Sequence, residues 1–165
     1  MESPIIRRAR IADVPAIKRL VDADAGKVLL EKDLVTLYEA VQEFWVAERD
    51  GEVVGCGALH VLWEDLAEIR TVAVDRAVRG QGVGHALVSA LIDLARRLGL
   101  PRIFVLTFET EFFGRHGFRA IDGAPVPEEV YEEMRRSPDT GVAEFLDLPF
   151  VKPNTLGNTR MLLEL

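Results

Sequence analysis

The sequence holds a single cysteine, no apolar run near the roughly 18 residues needed to cross a bilayer, and no excess of basic charge. Cys56 alone permits no internal disulfide, which excludes a disulfide-stapled scaffold and fits a reducing, cytoplasmic setting. Lying between two glycines, with no histidine or basic neighbour, it reads as small core filler. Met1 to Arg10 lacks the apolar core of a secretory signal. With 27 acidic against 20 basic side chains the chain is not built as a general nucleic-acid binder, because phosphate contacts need clustered lysine and arginine. No two of the three histidines stand at metal-ligand spacing, so no metal site is expected. Repeats, low-complexity tracts and domain boundaries are also missing, and residues 1–165 are expected to form one domain.

What is present alternates between the two periods of regular structure. Ile5 to Arg10 reads as a first strand. Asp13 is placed to cap a helix with Pro15 in its first turn and Ile17, Leu20 and Val21 on one face, ending near Ala25-Gly26. A connection from Lys27 to Lys32 follows, then a second helix capped by Asp33 with Leu34, Leu37, Val41 and Phe44 as its stripe. Asp50-Gly51 between Trp45–Arg49 and Glu52–Leu62 predicts a tight antiparallel hairpin. The fourth strand, Ala67 to Val74, carries Glu68 and Arg70 in an apolar run. Alternation puts Glu68, Arg70, Val72 and Val74 on one face unless a bulge intervenes.

Between that strand and a helix from Val83 to Leu98 lies Arg79-Gly80-Gln81-Gly82-Val83-Gly84. Glycines let backbone N–H groups converge, and a helix start adds unsatisfied N–H groups, so the loop suits a phosphate or pyrophosphate. A tight turn without ligand is the other reading of the loop taken alone. His85 stands where a dinucleotide fingerprint needs a third glycine, and no Gly-Lys-Ser/Thr follows. The helix buries Leu87, Leu91, Leu94 and Leu98, and Gly99 and Pro101 end it. Arg102 to Thr107 is a buried fifth strand, parallel to the fourth through this crossover. Thr110 to His116 is a short helix closed by Gly117, and Phe118 to Ile121 is extended. After the loop Asp122 to Pro127, Glu128 to Arg136 forms a charged helix, read as a surface element. Thr159 to Leu165 is a last strand whose exposed edge would allow a homodimer.

Arg79-x-x-Gly82-x-Gly84 between a strand and an amphipathic helix, with the βααβββαβαβ order and Gly117-Phe118 behind it, resembles the pyrophosphate loop of the GNAT superfamily of N-acetyltransferases. The resemblance covers all but about residues 123–152, longer than the family's usual link. It implies an α/β (α+β) fold with a mixed, mostly antiparallel sheet, splayed parallel strands four and five, and helices on both faces. It also implies acetyl-CoA as co-substrate. The pyrophosphate would sit on the loop from Arg79 and Gly80 through Gln81, Gly82, Val83 and Gly84, and the pantetheine arm against the backbone of Val72, Ala73 and Val74.

Glu68 to Val74, Phe104 to Thr107, Phe112 to Phe118 and Lys152 to Arg160 resemble, more narrowly, the acetyltransferase domain of the N-acetylglutamate synthases. That likeness implies transfer of acetyl to the α-amino group of glutamate or glutamine, the first step of arginine biosynthesis. The chain resembles the short form, for which control through a kinase-like domain is expected to be absent. Glu68 would be the general base and a backbone N–H near Val74 the oxyanion donor. Arg70, Lys32 or Lys27, and Asn158 with Thr159 are candidates for the acceptor's carboxylates. Many superfamily members have a tyrosine where this chain has Phe113, so the thiolate would be protonated by water, with Tyr38 or Tyr131 as alternatives. His60 and His85 read as structural. Acetylation of another amine (a polyamine, an aminoglycoside, a protein N-terminus) and a noncatalytic acetyl-CoA-binding regulator are the competing readings.

Overall fold

In the computed structural model, which describes residues 3–24 and 33–165, one seven-stranded sheet is built from β1 (Ile5–Arg8), β2 (Phe44–Arg49), β3 (Glu52–Trp63), β4 (Leu66–Val74), β5 (Arg102–Thr107), β6 (Arg119–Ala120) and β7 (Thr159–Glu164). The helices are α1 (Val14–Asp24), α2 (Leu34–Glu39), α3 (Val83–Arg97), α4 (Thr110–Gly114), α5 (Glu128–Met134), α6 (Thr140–Phe145) and α7 (Lys152–Thr155). The strand order is β1-β2-β3-β4-β5-β7-β6. Every neighbouring pair is antiparallel except β4 and β5, which pair in parallel through Ala67–Ile103 and Glu68–Phe104 alone. Beyond Glu68 the two strands splay. The Asp50-Gly51 hairpin is as expected, both residues at positive φ (53° and 79°).

Two apolar layers hold the sheet. On one side α3 lays Val88, Leu91 and Ala95, all fully buried, on Leu59, Ala67 and Ile69, with Phe113 of α4 and Phe118 beside them, and Leu87 on Ala47 and Val54. Full burial of a leucine contributes roughly 2 kcal/mol, so this row is a main anchor of the sheet. On the other side α1 and α2 cover Val46, Cys56 and Ala58, while α5 and α6 cover Leu62, Leu66 and Phe104. Gly99, at φ 80°, ends α3: its N–H bonds Arg96 O at 3.0 Å and the Leu100 N–H bonds Ala95 O at 2.9 Å, a two-bond left-handed cap.

Several local expectations are corrected. Leu98 lies past the buried stripe and is 56% exposed. Phe44 is not the end of a helical stripe but the first residue of β2, opposite Ala58; sheet pairing overrides its helical spacing, and α2 is correspondingly short. Asp33 stands at the α2 N-cap without a side-chain cap bond. Asp13 does not cap α1 but closes the 3-10 turn before it, its carboxylate accepting from the Arg10 N–H and from Arg7 at 2.7 Å each. β7 is no free edge, because β5 and β6 flank it, so the edge argument for a dimer falls. The expected end of α1 at Ala25-Gly26, and Lys27 and Lys32, lie outside the described residues.

The alternation along β4 breaks at Thr71, a β-branched residue at φ 60°. Two residues, Thr71 and Val72, oppose Gly57 of β3, since Ala58 pairs Arg70 and Cys56 pairs Ala73. Glu68 and Arg70 therefore face α5 and α6, whereas Val72 and Val74 pack on the α3 side. The uninterrupted alternation had put all four on one face.

Candidate active site

The splay between β4 and β5 opens a cleft of about 710 Å³. Its walls are Ile69 to Val72 and Val74 of β4 and Val105 to Phe108 at the end of β5; its floor is the glycine loop and the start of α3. Gly80 and Gly82 take φ of 80° and 84°, conformations that side-chain-bearing residues seldom adopt, and Gly82 is the N-cap of α3. The first intrahelical bond runs from the Ala86 N–H to Gly82 O at 3.0 Å. The N–H groups of Val83, Gly84 and His85 thus point out of the helix start toward the cleft, where the helix dipole favours an anion. Arg76 and Arg79 line the same end.

The two polar side chains of the loop have defined partners. Arg79 Nη2 donates to Asp24 Oδ1 at 2.9 Å, and the Gln81 side chain accepts from Arg49 at 2.6 Å, leaving the loop backbone to a ligand. The Asp75 N–H bonds Val54 O on β3 at 2.8 Å, so alternation turns the Val74 N–H away from β3 and into the splay. Ala73 points its side chain into the opposite core, pairs with Cys56 of β3 and does not line the cleft.

At the closed end of the splay sits an ion-pair triad. Arg70 lines the cleft; its Nε and Nη2 donate to Glu68 Oε1 at 3.0 and 2.8 Å, and its Nη1 donates to both Asp139 oxygens at 3.0 and 3.2 Å. Glu68 is 5% exposed and lies beside Arg70, outside the cleft lining. Burial pushes its carboxyl above the ordinary carboxylate range, an effect that Arg70 and His60 oppose without cancelling and Asp139 reinforces. Asp139 is lowered instead: burial raises it, but Arg70, the Val142 N–H and His60 outweigh that. Sequence reading missed Asp139. It stands 69 residues from Arg70, in a stretch without helical periodicity that nonetheless forms α6.

The remaining candidates divide. Thr159 pairs with Thr107, next to the wall formed by Phe108, and Asn158 precedes it with its side-chain oxygen buried and unpartnered; neither lines the cleft. Phe113 lines it and packs edge-on against Phe112 and Phe118. The Tyr131 hydroxyl donates to Leu146 O at 3.3 Å, and Tyr38 lies exposed on α2. His60 bonds Glu43 at 2.9 Å and faces Glu68 across β3 and β4. His85 lines the cleft and shares a hydrogen bond with His116 at 2.9 Å; burial, then His85, lowers the His116 pKa. Among the described residues no His, Cys, Asp and Glu cluster could hold a metal ion, and no helix is long and apolar enough to cross a membrane.

A cleft with a glycine-rich anion floor, an unpaired strand backbone along one wall and a buried carboxylate at its closed end fits a thioester of coenzyme A and its acceptor. Residues 15–118 match the model of the Acetyltransferase (GNAT) family. The chain is 70% identical to the amino-acid acetyltransferase of Mycobacterium tuberculosis, over 98% of this chain and 95% of that protein. It superposes on the crystal structure of Rv2747 from Mycobacterium tuberculosis in complex with CoA and NLQ with a TM-score of 0.97, covering 98% of this chain and 99% of that one. The N-acetylglutamate synthase from Neisseria gonorrhoeae complexed with coenzyme A and N-acetyl-glutamate is 26% identical with a TM-score of 0.78; all of this chain aligns, on 36% of that longer protein. The chain therefore belongs to the GNAT acetyltransferase family, among its amino-acid acetyltransferases.

Proposed function

We propose that this protein transfers the acetyl group of acetyl-CoA to the α-amino group of glutamate or glutamine, with residues 1–165 acting as one cytoplasmic acetyltransferase domain. The observation that carries this reading is Glu68, a buried carboxylate held at the last β4–β5 pair, where the splayed cleft begins. The ligands in the two relatives' structures, CoA with NLQ and coenzyme A with N-acetyl-glutamate, support the same substrate class.

An α-amino group titrates at about 7.7 to 8.0 even at a peptide terminus and higher in a free amino acid, so most of it must lose a proton before attack at neutral pH. Glu68 takes that proton, directly or through one water, and its raised pKa brings its basicity closer to the task. The nitrogen then adds to the thioester carbon, and the Val74 N–H turned into the splay donates to the developing oxyanion. Collapse expels the thiolate. With a thiol pKa of about 8.5 it leaves readily and takes a proton from water, since Phe113 carries none to give, and the acylated nitrogen returns one to water as the amide forms. Arg79, Gly80, Gln81, Gly82, Val83 and Gly84 hold the pyrophosphate, and Val72 to Val74 pair with the pantetheine arm.

For the acceptor's carboxylates, Asn158 and Thr159 at the start of β7 and Lys32 are the proposed donors. Arg70 has its guanidinium edges committed to Glu68 and Asp139, so it serves the substrate only by exchanging Asp139 for a substrate carboxylate. The deciding experiment is a coenzyme A release assay over a panel of amino acids and amines. Turnover is expected with glutamate or glutamine. None with either, or faster turnover with a polyamine or peptide amine, rejects the proposal.

A further inference from the structure

Asp139 belongs to the 123–152 stretch that the glycine-loop chemistry does not need, yet it is bound into the site by two donors, Arg70 Nη1 and the Val142 N–H. It accepts from Arg70 Nη1 through both oxygens. Its Oδ1 also accepts from the Val142 N–H at 2.9 Å and so caps α6, fixing the helix to the carboxylate. Two residues on, Gly141 gives the guanidinium its room: a Cβ there would lie 2.5 Å from Arg70 Nη2, 2.6 Å from Cζ and 2.9 Å from Nη1. Alanine is otherwise the better helix former at such a position, so the glycine answers to Arg70 and not to α6. The start of α6 is thus shaped as a seat for one guanidinium.

The seat matters because of what Arg70 does on its other side. A buried carboxylate facing an arginine alone is driven to low proton affinity, and a carboxylate that weak is a poor base toward an ammonium group. Sharing the arginine with a second carboxylate relieves this. Four charged or titratable groups face Glu68: Arg70 from its own strand, His60 from β3, Asp139 from the turn before α6 and Arg160 from β7. Arg160 spends its donors on the carbonyls of Gly123, Glu144 and Phe145, and His60 is bonded to Glu43. Of the four, Asp139 is the one anion, and it also sets where the nearest cation lies.

We infer that Asp139, seated by Gly141 at the start of α6, is a positioning residue for the acetyl transfer: it holds the Arg70 guanidinium divided between two carboxylates and so keeps Glu68 basic enough to take the substrate's proton. The inference rests on the reading of Glu68 as general base, but its test does not. Asp139 touches neither substrate nor reacting atoms, and it acts through Arg70.

Two variants separate this role from simple support of α6. Asp139→Asn keeps a helix-capping side chain and an acceptor for Arg70 while deleting the charge. Gly141→Ala keeps the charge and pushes the guanidinium off its seat. The titration of the Glu68 side-chain carboxyl is followed by carbon-13 NMR in the full-length protein, its signal identified by its loss in Glu68→Gln, alongside the pH profile of kcat/KM for each protein. Asp139→Asn is expected to lower the Glu68 midpoint by about one pH unit, because an anion is gone and the Arg70 charge is then balanced by Glu68 alone. Gly141→Ala is expected to raise it, because the Arg70 bonds to Glu68 are loosened. Midpoints that stay put, or that move in the same direction in both variants, overturn the inference whatever happens to activity. Midpoints that move as expected while the acid limb of kcat/KM stays behind uphold the control of Glu68 by Asp139 through Arg70 but reject Glu68 as the base, and with it the part of Asp139 in acetyl transfer.

Discussion

Asp24, the last residue of α1, accepts at 2.9 Å from Arg79 on the glycine loop 55 residues further on, and the pair lines the cleft where an anion has to enter. Arg76 adds a second tie, donating to Ala23 O at 3.3 Å. The end of α1 and the glycine loop are therefore joined through arginines that a bound pyrophosphate would also attract. Arg79→Ala is expected to weaken coenzyme A binding about tenfold, or about 1.4 kcal/mol. Asp24→Asn, which removes a competing charge and keeps an acceptor, is expected to strengthen it. Calorimetry at two salt concentrations checks both; weaker binding by Asp24→Asn would mean that Asp24 orients Arg79 for the ligand instead of competing with it.

Glu68 makes a pH prediction whose sign follows from its burial. Because its carboxyl is raised above the usual range, it is protonated and idle in mildly acidic solution, and kcat/KM should climb as pH rises through that value. A second, more alkaline limb reports the substrate's ammonium group, which in a free amino acid holds its proton to higher pH than the about 7.7 to 8.0 of a peptide terminus. Glu68→Gln should cost on the order of a hundredfold or more in kcat and erase the first limb while leaving the second. Retention of both limbs at full rate would sink the assignment.

Gly55 connects packing to binding. A Cβ there would stand 2.9 Å from Leu87 Cδ1 and 3.0 Å from Val83 Cγ1, and Val83 is the first residue of α3 after the loop. Gly55→Ala should lift the start of α3, costing roughly 1 to 3 kcal/mol in urea unfolding and raising KM for acetyl-CoA. KM for the amino acid should hardly change. A variant that loses stability with the cofactor KM intact would show that α3 adjusts without moving the loop.

Much of this site was legible because its chemistry is local. Three glycines, a strand before and an amphipathic helix after announce an anion loop, and Gly80, Gly82 and the α3 start have the geometry that such a loop needs. What could not be read depends on distant partners. The bulge at Thr71 has no glycine or proline to mark it on β4; it exists because Gly57 on β3 and α3 beneath admit an extra residue. It reverses the faces of Val72 and Val74. α6 is six residues long and carries its information in Asp139 and Gly141, which mean nothing until Arg70 is beside them. β7 looked like an edge because the strand covering it, β6, is only two residues long.

Asp13 governs acid stability away from the site. Its side chain is 10% exposed and bonded to Arg7 at 2.7 Å, and Arg7 in turn reaches Glu48 on β2 at 3.0 Å. The Arg7 hydrogen bond holds the Asp13 carboxyl below the ordinary aspartate range, against the effect of burial. A group depressed in the fold stabilises it above the unfolded pKa and loses that contribution as pH falls through the folded one. Asp13→Asn should therefore cost about 2 kcal/mol at pH 7 and less at a pH well below the ordinary aspartate range. Urea titrations at the two pH values test this; an equal cost at both would assign the effect to packing.

Thr71 separates strain from stability. A β-branched residue at φ 60° stores on the order of 1 to 3 kcal/mol, whereas glycine takes that conformation freely. Glycine in place of a strand threonine ordinarily costs about 1 kcal/mol, because it packs nothing and loses more chain entropy. The two effects oppose, so Thr71→Gly should leave stability within about 1 kcal/mol of the wild type or improve it. Val72→Gly, one residue on with no left-handed φ to relieve, should be clearly destabilising. Activity should not follow stability here: Thr71 holds the bulge that turns the next residues of β4 into the splay, and a freer chain at that point should lower kcat even in a protein that unfolds no earlier. Equal losses of stability in the two variants would show that the left-handed conformation at Thr71 carries no strain.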